Sequence, residues 1–123
     1  MKQMSDSPQQ AKGFDFVMYL TADMKRARDF YESLFGIKPG AFESENFVEY
    51  DLADGNTFAI GHNPSAPFVA LGGIMFSVED AQAAGARAEA LGGKIVAQFG
   101  GEHCTTAWCT DPEGNSFGLH QRT

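Results

Sequence analysis

DPEGNSFGL, residues 111–119, is spelled in part twice in this chain. Its segment Gly114-Asn115-Ser116-Phe117-Gly118-Leu119 matches Gly55-Asn56-Thr57-Phe58-Ala59-Ile60, 59 positions earlier. In both copies a turn rich in Asp, Gly and Asn leads into a short β-rich run, which reads as a hairpin. Upstream the match continues at an offset of 57: Phe16 falls on Gly73, Ala27 on Ala84, Leu34 on Leu91 and Gly36 on Gly93. The two-residue difference fits a longer loop in the second copy. Self-similarity at a fixed period marks a repeated supersecondary unit.

The unit can be read from its parts. Phe14 to Leu20 is an apolar strand candidate, and DMKRARDFYESLFG follows it. There Met24, Ala27, Phe30, Tyr31, Leu34 and Phe35 recur at helical spacing, with Asp23 as N-cap and Gly36 as C-cap. Three short strands are expected next: around Ile37 to Phe42, in NFVEYDL, and in NTFAIG. HNPSAPF, with two prolines, reads as a linker. The order then restarts with GGIMFSV as a strand and EDAQAAGARAEALGG as a helix, capped by Asp80 or Glu79 and stopped at Gly92-Gly93. KIVAQF, TTAWCT and NSFGLHQ complete the second copy as strands. The expected organisation is a loose N-terminal tail over residues 1–12, a first βαβββ module over 13–62, a linker over 63–68 and a second module over 69–123, in one domain.

Bulk properties narrow the function classes. With 123 residues the chain can bury a core, and 11 Phe leave enough aromatic surface for a cavity as well. The net charge of -7 and the lack of a Lys/Arg cluster argue against nucleic acid and favour neutral or cationic ligands. No apolar run reaches the ~18 residues of a membrane span. MKQMSDSPQQAKG lacks the apolar core of a signal peptide. Cys104 and Cys109 lie five apart on one expected strand, on opposite faces, and should not pair. Free thiols point to the cytoplasm. No phosphate-binding glycine pattern and no defensible Ser-His-Asp or Cys-His arrangement is present.

Two βαβββ units, the RARDFYESLFGI helix and the DPEGN turn together resemble the vicinal oxygen chelate superfamily, the glyoxalase, bleomycin resistance and extradiol dioxygenase group. The resemblance runs from about Phe14 to Gln121. It implies an α+β fold in which two modules form a curled mixed sheet around a cavity with the helices outside, commonly paired as a homodimer. It also implies four metal-ligand positions, on the first and last strands of each module. Here those positions carry Phe16, Ala59, Gly73 and Gly118. The last is where the family's enzymes typically place Glu. None of the four side chains can ligate a divalent cation, since such metals need imidazole, carboxylate or thiolate donors. No metal cofactor is therefore expected.

In the family's orientation, strand alternation lists the cavity lining. The expected ligand-binding residues are Phe16, Met18, Phe47, Glu49, Ala59, Gly73, Met75, Trp108, Gly118 and His120. The repeat sets Glu49 opposite Trp108. Trp108 fits either core filling or stacking on a ligand. Glu49 fits either a solvated rim or a buried acid/base, and it is the one catalytic candidate. His120 lies near a strand end; His62 and His103 are expected to face solvent. Met18 and Met75 suit core filler or an adaptable wall.

The expected function is that of a glyoxalase/bleomycin-resistance-like small-molecule binding protein without the usual metal ligands. Its ligand would be a planar organic molecule, neutral or cationic. The alternative is a lyase or dioxygenase-type enzyme that uses non-standard metal ligands or Glu49.

Overall fold

A computed structural model describes Pro8, residues 14–65 and residues 67–122. Apart from Pro8, the expected N-terminal tail lies outside the described residues. In chain order the elements are β1 (Val17–Leu20), α1 (Met24–Phe35), β2 (Glu43–Ser44), β3 (Phe47–Asp51), β4 (Thr57–Gly61), β5 (Ile74–Ser77), α2 (Ala81–Ala90), β6 (Lys94–Gly100), β7 (Cys104–Thr110) and β8 (Ser116–Arg122). This is βαβββ twice, an α+β fold. Each module forms a four-stranded mixed sheet, in the orders β1-β4-β3-β2 and β5-β8-β7-β6. In each sheet one pair, β1 with β4 or β5 with β8, is parallel.

Local sequence explains the helix limits. Asp23 Oδ1 accepts from Arg26 N at 3.1 Å to open α1, and Asp80 Oδ1 accepts from Ala83 N at 3.0 Å to open α2. Gly36 ends α1 at φ 64°, a left-handed conformation that glycine adopts without the cost a Cβ would add. The strand expected around Ile37 to Phe42 is displaced: the regular pairing is Glu43–Ser44 against β3. Pro39 has no N–H to give a ladder, so this stretch joins β3 only through Gly40 N to Glu49 O and Glu49 N to Phe42 O.

The two sheets share one core. Tyr19, Val48, Tyr50, Phe58 and Ile60 of the first and Phe76, Ala107, Cys109, Phe117 and Leu119 of the second are buried in it with Phe30 and Tyr31 of α1. Aromatic edges join the modules: Phe58 meets Phe76 at 5.4 Å, Tyr31 meets Phe117 at 6.0 Å and Phe35 meets Phe76 at 4.5 Å between ring centroids. Each contact of this kind adds about 0.5–1.5 kcal/mol beyond burial alone. Cys109 is buried in this core, Cys104 is half-buried, and both are free.

A polar cluster locks the same junction. The buried Asp111 carboxylate accepts Glu113 N and Asn115 N on Oδ1, and Tyr31 OH and Asn115 Nδ2 on Oδ2, at 2.8–2.9 Å. Asn115 also donates to Leu20 O and accepts from Leu71 N. The DPEGN turn thus ties β8 to α1, to the end of β1 and to the chain that leads into β5. Glu113 reaches back to the Thr21 hydroxyl and the Ala22 amide.

All three tyrosines of the chain sit in these networks. Burial pushes the Tyr19 phenol up to about 12, with the Ile74 amide opposing and the Asp111 charge adding. Burial first, then the Asp111 charge, raises Tyr31. Burial and the hydrogen bond to Glu32 raise Tyr50. The folded state therefore holds these protons more tightly than the unfolded chain, whose phenols titrate near ~10. Their stabilisation is complete below about pH 10 and falls as pH rises towards the folded-state values. We expect no phenolate absorbance step at the ordinary tyrosine pKa, and a single step at higher pH that coincides with loss of the native circular dichroism. A reversible, noncooperative phenolate titration at the ordinary pKa would show the tyrosines to be solvated.

Candidate ligand-binding site

The sheet faces turned away from the helices carry the expected site residues in two groups. In the first sheet, register places Met18 beside Ala59 and Ala59 beside Glu49. In the second, Met75 lies beside Gly118 and Gly118 beside Trp108. The two rows are the same three positions of the repeated module: Met-Ala-Glu in one and Met-Gly-Trp in the other.

Phe16 precedes β1 and is 41% exposed, and its ring meets the Phe47 edge at 5.8 Å, so it shares this face. Ala59 and Gly118 are buried; Met18, Phe47, Glu49, Trp108 and His120 are half-buried. Met75 is 43% exposed. Gly73 precedes β5 at φ +106°, where an L side chain is strained. His120 lies beside Ser77 on the strand next to it. The Glu49 carboxylate makes no hydrogen bond or ion pair with any described residue. Glu49 and Trp108 occupy matching places, but no hydrogen bond or ring contact among the described residues joins the two groups. The modules meet through their helix-facing sides instead.

One histidine departs from the sequence reading. His62, expected to face solvent, is half-buried, with Nδ1 2.9 Å from Thr21 O. The chain leaves β4 beside the end of β1, and that parallel pairing brings the ring against the Thr21 carbonyl. His103 is exposed, as expected, 3.9 Å from Glu102.

Phe16, Ala59, Gly73 and Gly118, expected from the resemblance to stand at the metal-ligand positions, offer no donor atoms from their side chains. Among the described residues, no group of three or more His, Cys, Asp and Glu could hold an ion. This donor set does not fit a divalent metal.

A cavity that sequence reasoning missed, about 220 Å³, opens elsewhere, between the first turn of α2 and the β6–β7 hairpin. Gln82, Gln98, Phe99, Thr105 and Thr106 line it, and no ionisable side chain does. It arises from elements distant in sequence, and no local pattern announces it.

Restoring the missing carboxylate tests the metal geometry. A Cβ at Gly118 would lie 2.9 Å from Met75 Cε and 3.4 Å from Trp108 Cζ3. The nearest obstruction is the far end of the flexible Met75 side chain, which is 43% exposed and can turn away, so Gly118→Glu should cost the fold no more than the lower end of the overpacking range, about 1 kcal/mol. It should bind manganese or nickel no better than the wild type in calorimetric titration, because one carboxylate without further donors is no site. Tight stoichiometric metal binding by this variant would show that other donors converge there.

A family model described as the Glyoxalase/Bleomycin resistance protein/Dioxygenase superfamily matches residues 13–119. No curated protein matches the chain. Among solved structures, a glyoxalase/bleomycin resistance protein from Albidiferax ferrireducens T118 is 21% identical, covers 89% of this chain and 98% of its own, and superposes with a TM-score of 0.74. TnmS3, an antibiotic binding protein from Streptomyces sp. CB03234, is 20% identical, with 94% and 100% coverage and a TM-score of 0.71. A fosfomycin resistance protein, FosX, from Listeria monocytogenes, solved as a mutant with Mn(II) and a dihydroxypropylphosphonic acid, is 15% identical, with 93% coverage of each chain and a TM-score of 0.70. At these identities the likeness establishes the fold. With the family match spanning both modules, the chain belongs to the glyoxalase/bleomycin resistance protein/dioxygenase superfamily.

Proposed function

We propose that this protein binds a small organic molecule without the divalent metal of the family's enzymes. The observation that carries this reading is the set Phe16, Ala59, Gly73 and Gly118 at the family's ligand positions, on an otherwise complete fold. The same sheet faces offer the materials of an organic-ligand site: apolar walls, small residues that leave volume, and a few polar groups. TnmS3 gives a precedent for antibiotic binding on this fold.

The chemistry of the faces selects the ligand. The Glu49 carboxylate lacks a partner among the described residues, and the chain carries a net charge of -7. Both favour a cation or a hydrogen-bond donor over a phosphate ester. Trp108 offers an indole face for a planar ring, and a cation held over an indole gains about 0.5–2 kcal/mol. Stoichiometric, activity-linked zinc, iron, nickel or manganese in the purified protein would sink this reading and favour an enzyme with non-standard ligands.

The site is completed by a second copy of the chain. Support comes from the apolar side chains these faces leave exposed: Phe16 is 41% exposed and Met75 43%. Sedimentation should give twice the chain mass at micromolar concentration, consistent with an interface of roughly 1,200–2,000 Å². A monomer at that concentration would exclude the shared site.

A thermal-shift screen over planar neutral and cationic compounds should find a ligand, because a molecule that binds only the native state raises its melting temperature. For that ligand, Trp108→Ala and Glu49→Gln should each weaken binding by about tenfold, or ~1.4 kcal/mol, with cooperative unfolding retained. Unchanged affinity in both variants would remove these faces from the site.

A further inference from the structure

Gly118 has no conformational reason to be glycine. It lies mid-strand in β8 and is not among the glycines with positive φ. Its neighbours explain it better. A Cβ there would run into the end of the Met75 side chain, with Sδ nearest and Cε at 2.9 Å, and would press on the Trp108 ring at 3.4 Å. The side chains of both strands that flank Gly118 thus converge on the bare peptide at 118. Glycine in a strand interior often marks a place where another group comes close to the backbone. Here the close group is a thioether.

The first module has a related contact at a different position: its equivalent of Gly118 is Ala59, and the methionine reaches instead over Gly61, the equivalent of His120. Met18, the equivalent of Met75, sets its Sδ 2.9 Å from the point where a Cβ at Gly61 would sit. The first copy is half-buried, while Met75 is 43% exposed. Met75 therefore has solvent on one side into which it can turn. Its unbranched side chain, with three rotatable bonds, adapts at low cost.

We propose that the hollow over Gly118 is a subsite for a flat aromatic or heteroaromatic group, and that Met75 is its displaceable cover. In the free protein the thioether lies on the glycine beside the indole. On binding, Met75 swings outward and the ligand's ring takes its place, flat on the peptide at Gly118 and against Trp108. The proposal rests on the small-molecule-binding reading above and adds to it a position, a gate and a shape. A cover that must open reduces apparent affinity by the fraction of time the site is closed.

Trp108 is the one tryptophan of the chain, so its fluorescence reports this point alone. The test uses the full chain, the variants Met75→Ala and Gly118→Ala, acrylamide as a quencher, and proflavine as a planar cationic probe. Circular dichroism melts establish that each variant is folded. We expect Met75→Ala to expose Trp108 to acrylamide and to bind proflavine about fivefold more tightly than the wild type, because the closed state is gone. Gly118→Ala should bind it more weakly, because the added methyl occupies the subsite. Unchanged acrylamide quenching in Met75→Ala would overturn the cover. Saturable proflavine binding that is equal or weaker in Met75→Ala would make Met75 a fixed wall, overturning the gate while the binding reading stands. Absence of saturable binding in all three proteins would overturn the planar-cation reading itself, and the subsite with it.

Discussion

The buried carboxylate of Asp111 is the constraint on which the arrangement depends. An ionised carboxylate removed from water costs several kcal/mol unless its lone pairs are met. Here four donors meet them: two backbone amides, the Tyr31 hydroxyl and the Asn115 amide. Because Tyr31 belongs to α1 and Asn115 also holds Leu20 O and Leu71 N, satisfying one charge fixes both modules against each other. The DPEGN turn, which reads in the sequence as the turn of the last hairpin, is also the bolt between the two halves.

That bolt determines which surfaces remain for a ligand. Once α1 is fixed at the junction, Phe30, Tyr31 and Phe35 pack against Phe117 and Phe76 of the other module. The helix-facing sides of both sheets are consumed in a single core. Phe16, Met18, Phe47 and Glu49 on one sheet and Met75, Trp108 and His120 on the other are left on the opposite faces, more open to solvent. The polar and the aromatic member of the repeat, Glu49 and Trp108, stand on different sheets for this reason.

Within those faces, the packing around Gly118 limits what a side chain there could do. A carboxylate at 118 would project into the space that Met75 and Trp108 share. Glycine leaves that space to a soft thioether and a flat ring.

The repeat, the helix limits and the strand alternation were legible in the sequence because each rests on local physics. GNTFAI against GNSFGL fixes the last hairpins, Asp23 and Asp80 cap helices by side-chain geometry, and Phe58, Ile60, Phe117 and Leu119 betray a buried face by period two. The residue types at positions 16, 59, 73 and 118 were equally plain, since a side chain without donor atoms lacks them in any fold. Tertiary structure alone decided the rest. Pro39 displaced a strand, because a ladder needs an N–H that proline does not have. His62 found the Thr21 carbonyl through strand pairing, and Met75 found Gly118 through a register between residues 43 positions apart. Which faces of the two modules meet was settled by long-range contacts such as Tyr31 with Asp111, whose partners are 80 residues apart and leave no mark in either local sequence.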